Sequence, residues 1–204
     1  MRTRGFTRRG AFRPRRHVIA IACEGAATER IYFEELKPGR DAFIQLVPVP
    51  RSGHKSHPRD VLGDLIRWSA KHGLSGRGEG WIVIDREDET NRSTQVLDEV
   101  CADAARHGFK VAVSNPCFEF WLWLHLRDNR GFTDRHQLKR ELKRIVPGFN
   151  GSAYDAAAFI ATVTDAVARA RQLEQNSQHP WPRNQGTRLY LLVQKILPHR
   201  EPAS

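Results

Sequence analysis

Four short apolar runs lie in the first two thirds of the chain, and each has the length and aliphatic content of a buried β-strand. They span residues 17–23, 43–49, 81–84 and 109–113. Between them, apolar residues recur at the spacing of a helix face, as in residues 31–36, 61–68 and 96–104. Strands that alternate with helices predict an α/β fold with a roughly four-stranded, mainly parallel sheet flanked by helices.

Turn and cap residues indicate where these elements begin and end. Thr28 precedes an amphipathic segment and is expected to cap the first helix, whereas the glycine-rich segment 73–80 is expected to be a loop. Asn115 followed by Pro116 is typical of a helix start, so a helix is predicted to begin there. Because the residues that follow are apolar on almost all sides, this helix is expected to be deeply buried.

The last third of the chain carries helical patterns only. An alanine-rich stretch covers residues 156–175, and a final helix is predicted over residues 185–196. The expected organisation is a disordered basic arm in residues 1–16, an α/β core in residues 17–130 and a helical C-terminal extension, packed on the core, in residues 131–200.

The positive charge of the chain is concentrated at its N-terminus. The formal net charge is +10 at pH 7, and the first 16 residues contain seven arginines and no acid. Such a segment can contact nucleic-acid phosphates without reading their sequence. A plain solubility tail is an equally good interpretation. The arginines expected to make the phosphate contacts are Arg8, Arg9, Arg13, Arg15 and Arg16.

Several protein classes are not supported by the sequence. No apolar run approaches the roughly 20 residues of a membrane span, and the arginine-rich start lacks the apolar segment of a secretory signal. We therefore expect a cytoplasmic protein without a membrane partner. The cysteines Cys23, Cys101 and Cys117 form no CxxC pair, which argues against a zinc knuckle or a disulfide framework. The chain has no P-loop motif, no GxGxxG segment and no GxSxG elbow.

Acidic residues follow two of the predicted strands, at the edge of the sheet where α/β folds place their chemistry. Glu24 comes directly after the first strand, and Asp85, Glu87, Asp88 and Glu89 follow the third. Clustered acids repel one another, and a divalent cation would relieve that repulsion. Because Mg²⁺ binds through a few carboxylates and keeps several waters, it could bind substrate phosphates at the same time.

These acids divide by expected role. Asp85 and Glu87 are separated by one residue, so both could reach the same Mg²⁺ or Mn²⁺ ion. Glu24 could complete the metal site or act as a general acid or base. The candidate catalytic residues are Glu24, Asp85 and Glu87, and the candidate metal ligands are these three together with Asp88. The alternative interpretation is a solvated acidic loop that caps the following helix.

Four further residues are weaker candidates for binding substrate or supporting the acids. Lys55, in a polar loop between two histidines, could contact phosphate or could simply belong to the loop. Asn115 could approach the site or could only cap the predicted helix. Glu119 lies in the apolar segment, where a buried carboxylate needs a partner. His125 lies in the same segment, where a histidine is more often a hydrogen-bonded core residue than a catalyst.

Several sequence blocks together resemble the RloB-like family. The resemblance covers roughly residues 15–197, and its most specific block is Ser-Asn-Pro-Cys-Phe-Glu at residues 114–119. The blocks are Cys23-Glu24-Gly25, Thr28-Glu29, Tyr32-Phe33, Val83-Ile84-Asp85-Arg86-Glu87-Asp88, Ser114-Asn115-Pro116-Cys117-Phe118-Glu119, Trp121-Leu122, Leu124-His125, Pro147-Gly148-Phe149 and Tyr154-Asp155.

This resemblance implies a Toprim-like fold, the metal-binding module also found in topoisomerases, primases and OLD-type nucleases. In that fold a glutamate follows the first strand, and Glu24 matches it. An Asp-x-Asp motif follows a later strand: Asp85 matches its first aspartate, while Glu87 stands where the second is expected and Asp88 could compensate. Ala26-Ala27 stand where the family commonly has Glu-Lys.

The RloB-like family is associated with bacterial phage-resistance loci, often beside an ATPase partner. The resemblance therefore implies a metal-dependent nuclease, acting on RNA (including tRNA) or DNA, that serves as an effector in anti-phage defence. A non-catalytic subunit that binds nucleic acid or the ATPase is one alternative, favoured by the arginine arm, Glu87 and Ala26-Ala27. A primase-like nucleotidyl transferase, whose acids would bind nucleotide phosphates, is another.

Overall fold

The computed structural model describes residues 16–25, 27–39, 42–53, 57–74, 76, 78–87, 94–132, 134–151, 153–174 and 178–199. The strands in this part of the chain are β1 (His17–Cys23), β2 (Ile44–Pro48), β3 (Gly78–Asp85), β4 (Lys110–Asn115) and β5 (Gly186–Thr187). The α-helices are α1 (Thr28–Glu35), α2 (Pro58–His72), α3 (Thr94–Arg106), α4 (Phe118–Leu126), α5 (Arg135–Ile145), α6 (Ala156–Ile160), α7 (Val163–Leu173) and α8 (Leu189–Ile196).

The strands form one sheet in the order β2-β1-β3-β4-β5. Strand β1 pairs parallel with both β2 and β3, and β3 pairs parallel with β4. The short β5 pairs antiparallel with β4, with Thr187 opposite Ser114. Because the four longer strands are parallel, their carboxyl ends lie along one edge of the sheet, which is called the carboxyl edge below.

Alternate residues of the central strands face two separate apolar layers. Ile19 and Ile21 of β1 belong to a layer that also contains residues of α1 and of α4 to α8. Ala20 and Ala22 belong to the layer on the opposite face, with residues of α2 and α3. Helices on both faces of a mainly parallel sheet bury its apolar strands, which is the main favourable contribution to folding.

Helix α4 lies at the centre of the larger layer. Its residues Phe118 to His125 are all buried. Aromatic rings pack edge to face around it: the ring centroid of Tyr32 lies 6.2 Å from that of Trp121, and Trp123 lies 4.8 Å from Phe132. The prediction of a deeply buried apolar helix is therefore confirmed.

The α/β class, the mainly parallel sheet and the helical last third are confirmed, and the first differences lie at the boundaries around β3 and β4. The helix predicted to begin at Asn115 begins at Phe118, because Asn115 pairs with Gly186 and so continues β4. Part of the segment predicted as a loop belongs to β3, which begins at Gly78. The glycine suits the strand because the backbone of β1 leaves no room there for a side chain.

Three further predictions also need correction, each because of a tertiary contact. Thr28 does not cap α1: its hydroxyl donates a hydrogen bond to the carbonyl oxygen of Gly151, and Ala27 occupies the cap position. The last helix begins at Leu189 rather than at 185, because residues 186 and 187 form β5. The alanine-rich stretch divides into the two helices α6 and α7.

The cysteines and the helices bear on the predictions that the chain has no disulfide framework and no membrane span. Cys23, Cys101 and Cys117 are free thiols, with Cys101 and Cys117 buried. Among the helices of the described residues, none has the length and apolar character that crossing a membrane requires.

A side chain at position 78 should destabilise the sheet. A Cβ atom on Gly78 would lie 1.9 Å from the backbone oxygen of Val18 in β1. We expect Gly78→Ala to lower the free energy of unfolding by about 1–3 kcal/mol, measured by urea denaturation. Gly53→Ala is the control, since a Cβ atom there would meet nothing within 4 Å. Equal stability of the two variants would contradict the close approach of β1 and β3.

Candidate active site at the carboxyl edge of the sheet

Two of the predicted acids meet where β1 and β3 end. The backbone N–H of Glu24 donates to the carbonyl oxygen of Val83 at 2.9 Å, which extends the pairing of the two strands by one residue. The backbone N–H of Asp85 then donates to Oε2 of Glu24 at 3.0 Å. Pairing of neighbouring parallel strands thus places Glu24, which is 7% exposed, beside Asp85.

A third carboxylate, that of Glu29, reaches the same place from the first turn of α1. Glu29 is 3% exposed, and its Oε1 accepts a hydrogen bond from the backbone N–H of Gly25 at 2.9 Å. A Cβ atom on Gly25 would lie 1.8 Å from the carboxylate of Glu29. Glycine at position 25 therefore makes room for the buried carboxylate and offers it a backbone donor.

A fourth carboxylate, that of Glu119, enters from the first turn of α4. It is buried, and its Oε1 lies 3.1 Å from Nζ of Lys139 on α5. Burial by itself would lower the pKa of Lys139, but the attraction and hydrogen bond to Glu119, together with the attraction of Cys117 and Asp85, raise it. The expectation that a buried Glu119 needs a partner is met by Lys139.

The three buried acids Glu24, Glu29 and Glu119, together with the partly buried Asp85, are called the acidic cluster below. Burial raises the pKa of Glu29 to about 7, and repulsion from Glu119 and Glu24 adds to the rise. The pKa of Asp85 is raised well above its usual range, mainly by burial and further by repulsion from Glu29 and Glu24. Perturbed carboxyl pKa values that arise from burial and like charge are typical of functional sites.

Glu87, a candidate metal ligand, forms an ion pair with an arginine. Its Oε1 lies 2.9 Å from Nη1 of Arg135 at the start of α5. Its φ angle of 55° places it in the left-handed region. The N–H groups of Arg86 and Glu87 donate to the carbonyl oxygens of Ser114 and Pro116 at 2.8 Å, which fixes the turn after β3. Asp88, the fourth candidate ligand, lies outside the described residues.

The weaker candidates lie in different places. Asn115 ends β4, and its side-chain amide donates to the carbonyl oxygens of Pro182 and Arg183 at 3.0 and 3.2 Å. His125 lies in the core, where Nδ1 contacts the carbonyl oxygen of Phe159 and Nε2 lies 3.2 Å from the Tyr32 hydroxyl. Burial lowers the pKa of His125 to about 4, so this residue is neutral at pH 7.

Five of the candidates with basic side chains cannot be placed. Lys55 and the arm residues Arg8, Arg9, Arg13 and Arg15 lie outside the described residues, and Arg16, directly before β1, is exposed.

The acidic cluster has the donor chemistry of a magnesium site with few protein ligands. Mg²⁺ prefers carboxylate oxygens and commonly takes only one or two of them, with waters in its other positions. Glu24 and Asp85 could supply such a pair. The described residues contain no group of three or more His, Cys, Asp or Glu side chains in a metal-binding arrangement. A larger ligand set would therefore need residues beyond them, such as Asp88.

Two cavities are lined by residues that neighbour Glu24 and Asp85 in the chain. One, of about 370 Å³, includes Cys23 and Gly25 in its lining and lies between α1 and the ends of β1 and β2. The other, of about 360 Å³, is lined by Glu87 and by three arginines, Arg86, Arg135 and Arg183, among other residues. In this second cavity Arg135 pairs with Glu87, and Arg183 pairs with Asp98. The first cavity is lined by Arg30, Lys37 and Arg51, so cationic side chains line both cavities.

Sequence reasoning did not propose two residues of this site, Glu29 and Lys139. Glu29 lies in the first turn of a helix, where acids are common for reasons unrelated to function. The neighbouring sequence therefore does not indicate that Glu29 is buried. Lys139 is one of several cations along α5, and only the packing of α5 against α4 selects it. The signal available for Glu29 was its place beside Thr28 in the family resemblance.

One comparison with known proteins agrees with the resemblance noted in the sequence. A family model described as RloB-like protein matches residues 19–196, which include the whole acidic cluster and Lys139. No curated protein matches the chain. No solved structure matches it either.

Glu29→Gln should change how stability depends on pH. The pKa of Glu29 is raised from 4.5 to about 7 in the folded chain, so its contribution to stability is full below pH 4.5 and is lost as pH rises through 7. Relative to Glu29→Gln, the wild type should lose about 2–3 kcal/mol of unfolding free energy between pH 5 and pH 8. The exposed Glu35→Gln is the control, and parallel pH profiles for wild type and Glu29→Gln would contradict the assignment.

Lys139→Met should destabilise the chain through Glu119. The substitution leaves a buried carboxylate without its cation, which we expect to cost about 1–3 kcal/mol in thermal or urea unfolding at pH 7. Adding Glu119→Gln to Lys139→Met should recover part of that loss, because the remaining group is neutral. The exposed Lys143→Met on the same helix is the control. A loss that Glu119→Gln does not reduce would show that the ion pair is not its cause.

Proposed function

Because the chain belongs to the RloB-like family, we propose that it is a Mg²⁺- or Mn²⁺-dependent nuclease that hydrolyses RNA or DNA as an effector of bacterial anti-phage defence. The observation that carries this proposal is the acidic cluster at the carboxyl edge of the sheet. Three buried acids and a partly buried fourth repel one another, which is unfavourable for folding. A divalent cation bound among them is the simplest way to relieve that repulsion.

In this proposal Glu24 and Asp85 hold the divalent cation. When bound, such a cation would stabilise negative charge that develops on the scissile phosphate. The hydrogen bond from the Asp85 N–H to Glu24 fixes one carboxylate relative to the other strand. Glu29, buried beside this pair, could accept or release a proton in the reaction. Lys139 offsets the charge of Glu119, so that the cluster tolerates one further acid.

The cations around the cluster are suited to a polyanionic substrate. Arg86, Arg135 and Arg183 line the cavity on one side, and Arg30, Lys37 and Arg51 line the cavity on the other. Three of these cations already pair with acids: Arg135 with Glu87, Arg183 with Asp98 and Lys37 with Glu34. A nucleic-acid strand that crosses the carboxyl edge would meet cationic side chains before and after the acidic cluster. Phosphate contacts of this kind contribute affinity that falls as the salt concentration rises.

A non-catalytic subunit that binds nucleic acid or an ATPase partner is the second candidate, and two ion pairs favour it. Arg135 lies 2.9 Å from Glu87, and Lys139 lies 3.1 Å from Glu119. These cations neutralise part of the acidic charge without any metal. In this alternative the acids are structural, and the arginine-lined cavity is the functional surface.

A cleavage assay distinguishes these two functions. Purified chain is incubated with total tRNA and with plasmid DNA, in Mg²⁺, in Mn²⁺ or in a chelator. We expect metal-dependent cleavage that Asp85→Asn and Glu24→Gln each reduce by about 100-fold or more, since both remove a charge from the proposed metal site. Asp103→Asn, at a partly exposed position on α3, is the matched control and should cleave normally.

Two results would count against the nuclease. Cleavage that persists in the chelator would contradict a metal-dependent reaction. Absence of cleavage with every substrate and both metals, combined with binding that Asp85→Asn leaves unchanged, would favour the binding subunit.

A further inference from the structure

The cavity between α1 and the ends of β1 and β2 has a chemistry different from that of the acidic cluster beside it. Its walls are largely apolar and include Phe33 of α1, Leu46 of β2 and Val49 just beyond β2. Its volume of about 370 Å³ lies within the range of small-molecule sites, roughly 300–1,000 Å³. A rigid apolar group of modest size would therefore fit this space.

Positive charge surrounds the apolar walls. Arg30, Lys37 and Arg51 line the cavity, and Glu34 is its one acidic lining residue. Nζ of Lys37 lies 2.5 Å from Oε2 of Glu34, so this pair is neutral overall. By formal charge, three cations and one acid leave the lining with a net positive charge. An occupant that combines an apolar part with a negative part would match both features.

The cavity lies beside the acidic cluster. Cys23 and Gly25, which lie on either side of Glu24, belong to its lining. The N–H of Gly25 is also the donor that holds the carboxylate of Glu29. An occupant of the cavity therefore lies next to the place where the scissile phosphate would be held.

The geometry points to this cavity as a nucleobase subsite, which receives one unpaired base of a single-stranded nucleic acid next to the bond that is cut. This inference rests on the proposed nuclease function and deepens it. The base packs against Phe33, Leu46 and Val49, while Arg30 and Arg51 contact the phosphates on either side of it. A base within a duplex would have to leave its stack to enter the cavity, so the substrate is a single strand or an unpaired loop.

Binding of two matched oligonucleotides tests the subsite. Octathymidylate and an octamer of the same phosphate count without bases are each titrated against the chain carrying Asp85→Asn, in a chelator. Contacts to phosphate contribute equally to both probes, so the ratio of their Kd values reports the bases alone. We expect the base-containing probe to bind about tenfold more tightly or better. Equal Kd values would overturn the subsite.

Substitutions of two glutamates on α1 test whether the preference for the base-containing probe arises in this cavity. Glu34 lines the cavity whereas Glu35 does not, and both are exposed on the same helix. Glu34→Trp places an indole in the cavity, so the ratio of Kd values should fall towards one. Glu35→Trp makes the same change of charge and size outside the cavity and should leave the ratio unchanged. A ratio that Glu34→Trp does not alter would overturn the assignment.

Cross-linking provides a second readout without changing the cavity. Oligonucleotides that carry 4-thiothymidine are irradiated on the chain with Asp85→Asn, and cross-linked tryptic peptides are identified by mass spectrometry. Cross-links within residues 31–40 or 41–51 support the subsite. Cross-links confined to other peptides would overturn it. Because neither experiment requires metal or cleavage, loss of the subsite and loss of the nuclease function give different results.

Discussion

The parallel pairing of β1 with β3 is the constraint on which the rest of the site depends. It continues one residue past β1, through the Glu24 N–H and the Val83 carbonyl, and ends with the Asp85 N–H bound to the Glu24 carboxylate. Two acids that are 61 residues apart in the chain therefore meet at one point. Gly78, which lets the backbones of β1 and β3 approach, belongs to the same constraint.

The helices around this point add both further carboxylates, which repel one another, and cations that offset their charge. Helices α1 and α4 add the buried carboxylates of Glu29 and Glu119, and the pKa of Glu29 rises to about 7 as a result of burial and neighbouring charge. Helix α5 then supplies Lys139 to Glu119 and Arg135 to Glu87. The helices that follow β4 thus do more than cover the sheet, because one of them balances the charge of the site. A divalent cation would complete that balance.

Local patterns predicted that Glu24 and Asp85 follow buried strands, but they did not predict the other residues of the site. The runs before Glu24 and Asp85 indicated buried strands, and parallel topology placed both acids at one edge, as the structure has them. Glu29, Lys139 and the pairing of Glu87 with Arg135 could not be predicted, since each depends on the docking of a helix that is distant in sequence. The predicted start of the helix after β4 was wrong for a similar reason. Asn115 has a side chain typical of a helix cap, yet its pairing with Gly186 keeps it in β4.

Direct measurement of Mn²⁺ binding tests the central claim that the acidic cluster is a cation site. Free Mn²⁺ is followed by electron paramagnetic resonance while the wild-type chain, Asp85→Asn and the control Asp103→Asn are titrated at pH 7. The account predicts a saturable site in the wild type and in Asp103→Asn that is lost or at least tenfold weaker in Asp85→Asn. Mn²⁺ binding that is absent in the wild type, or equal in all three chains, would contradict it.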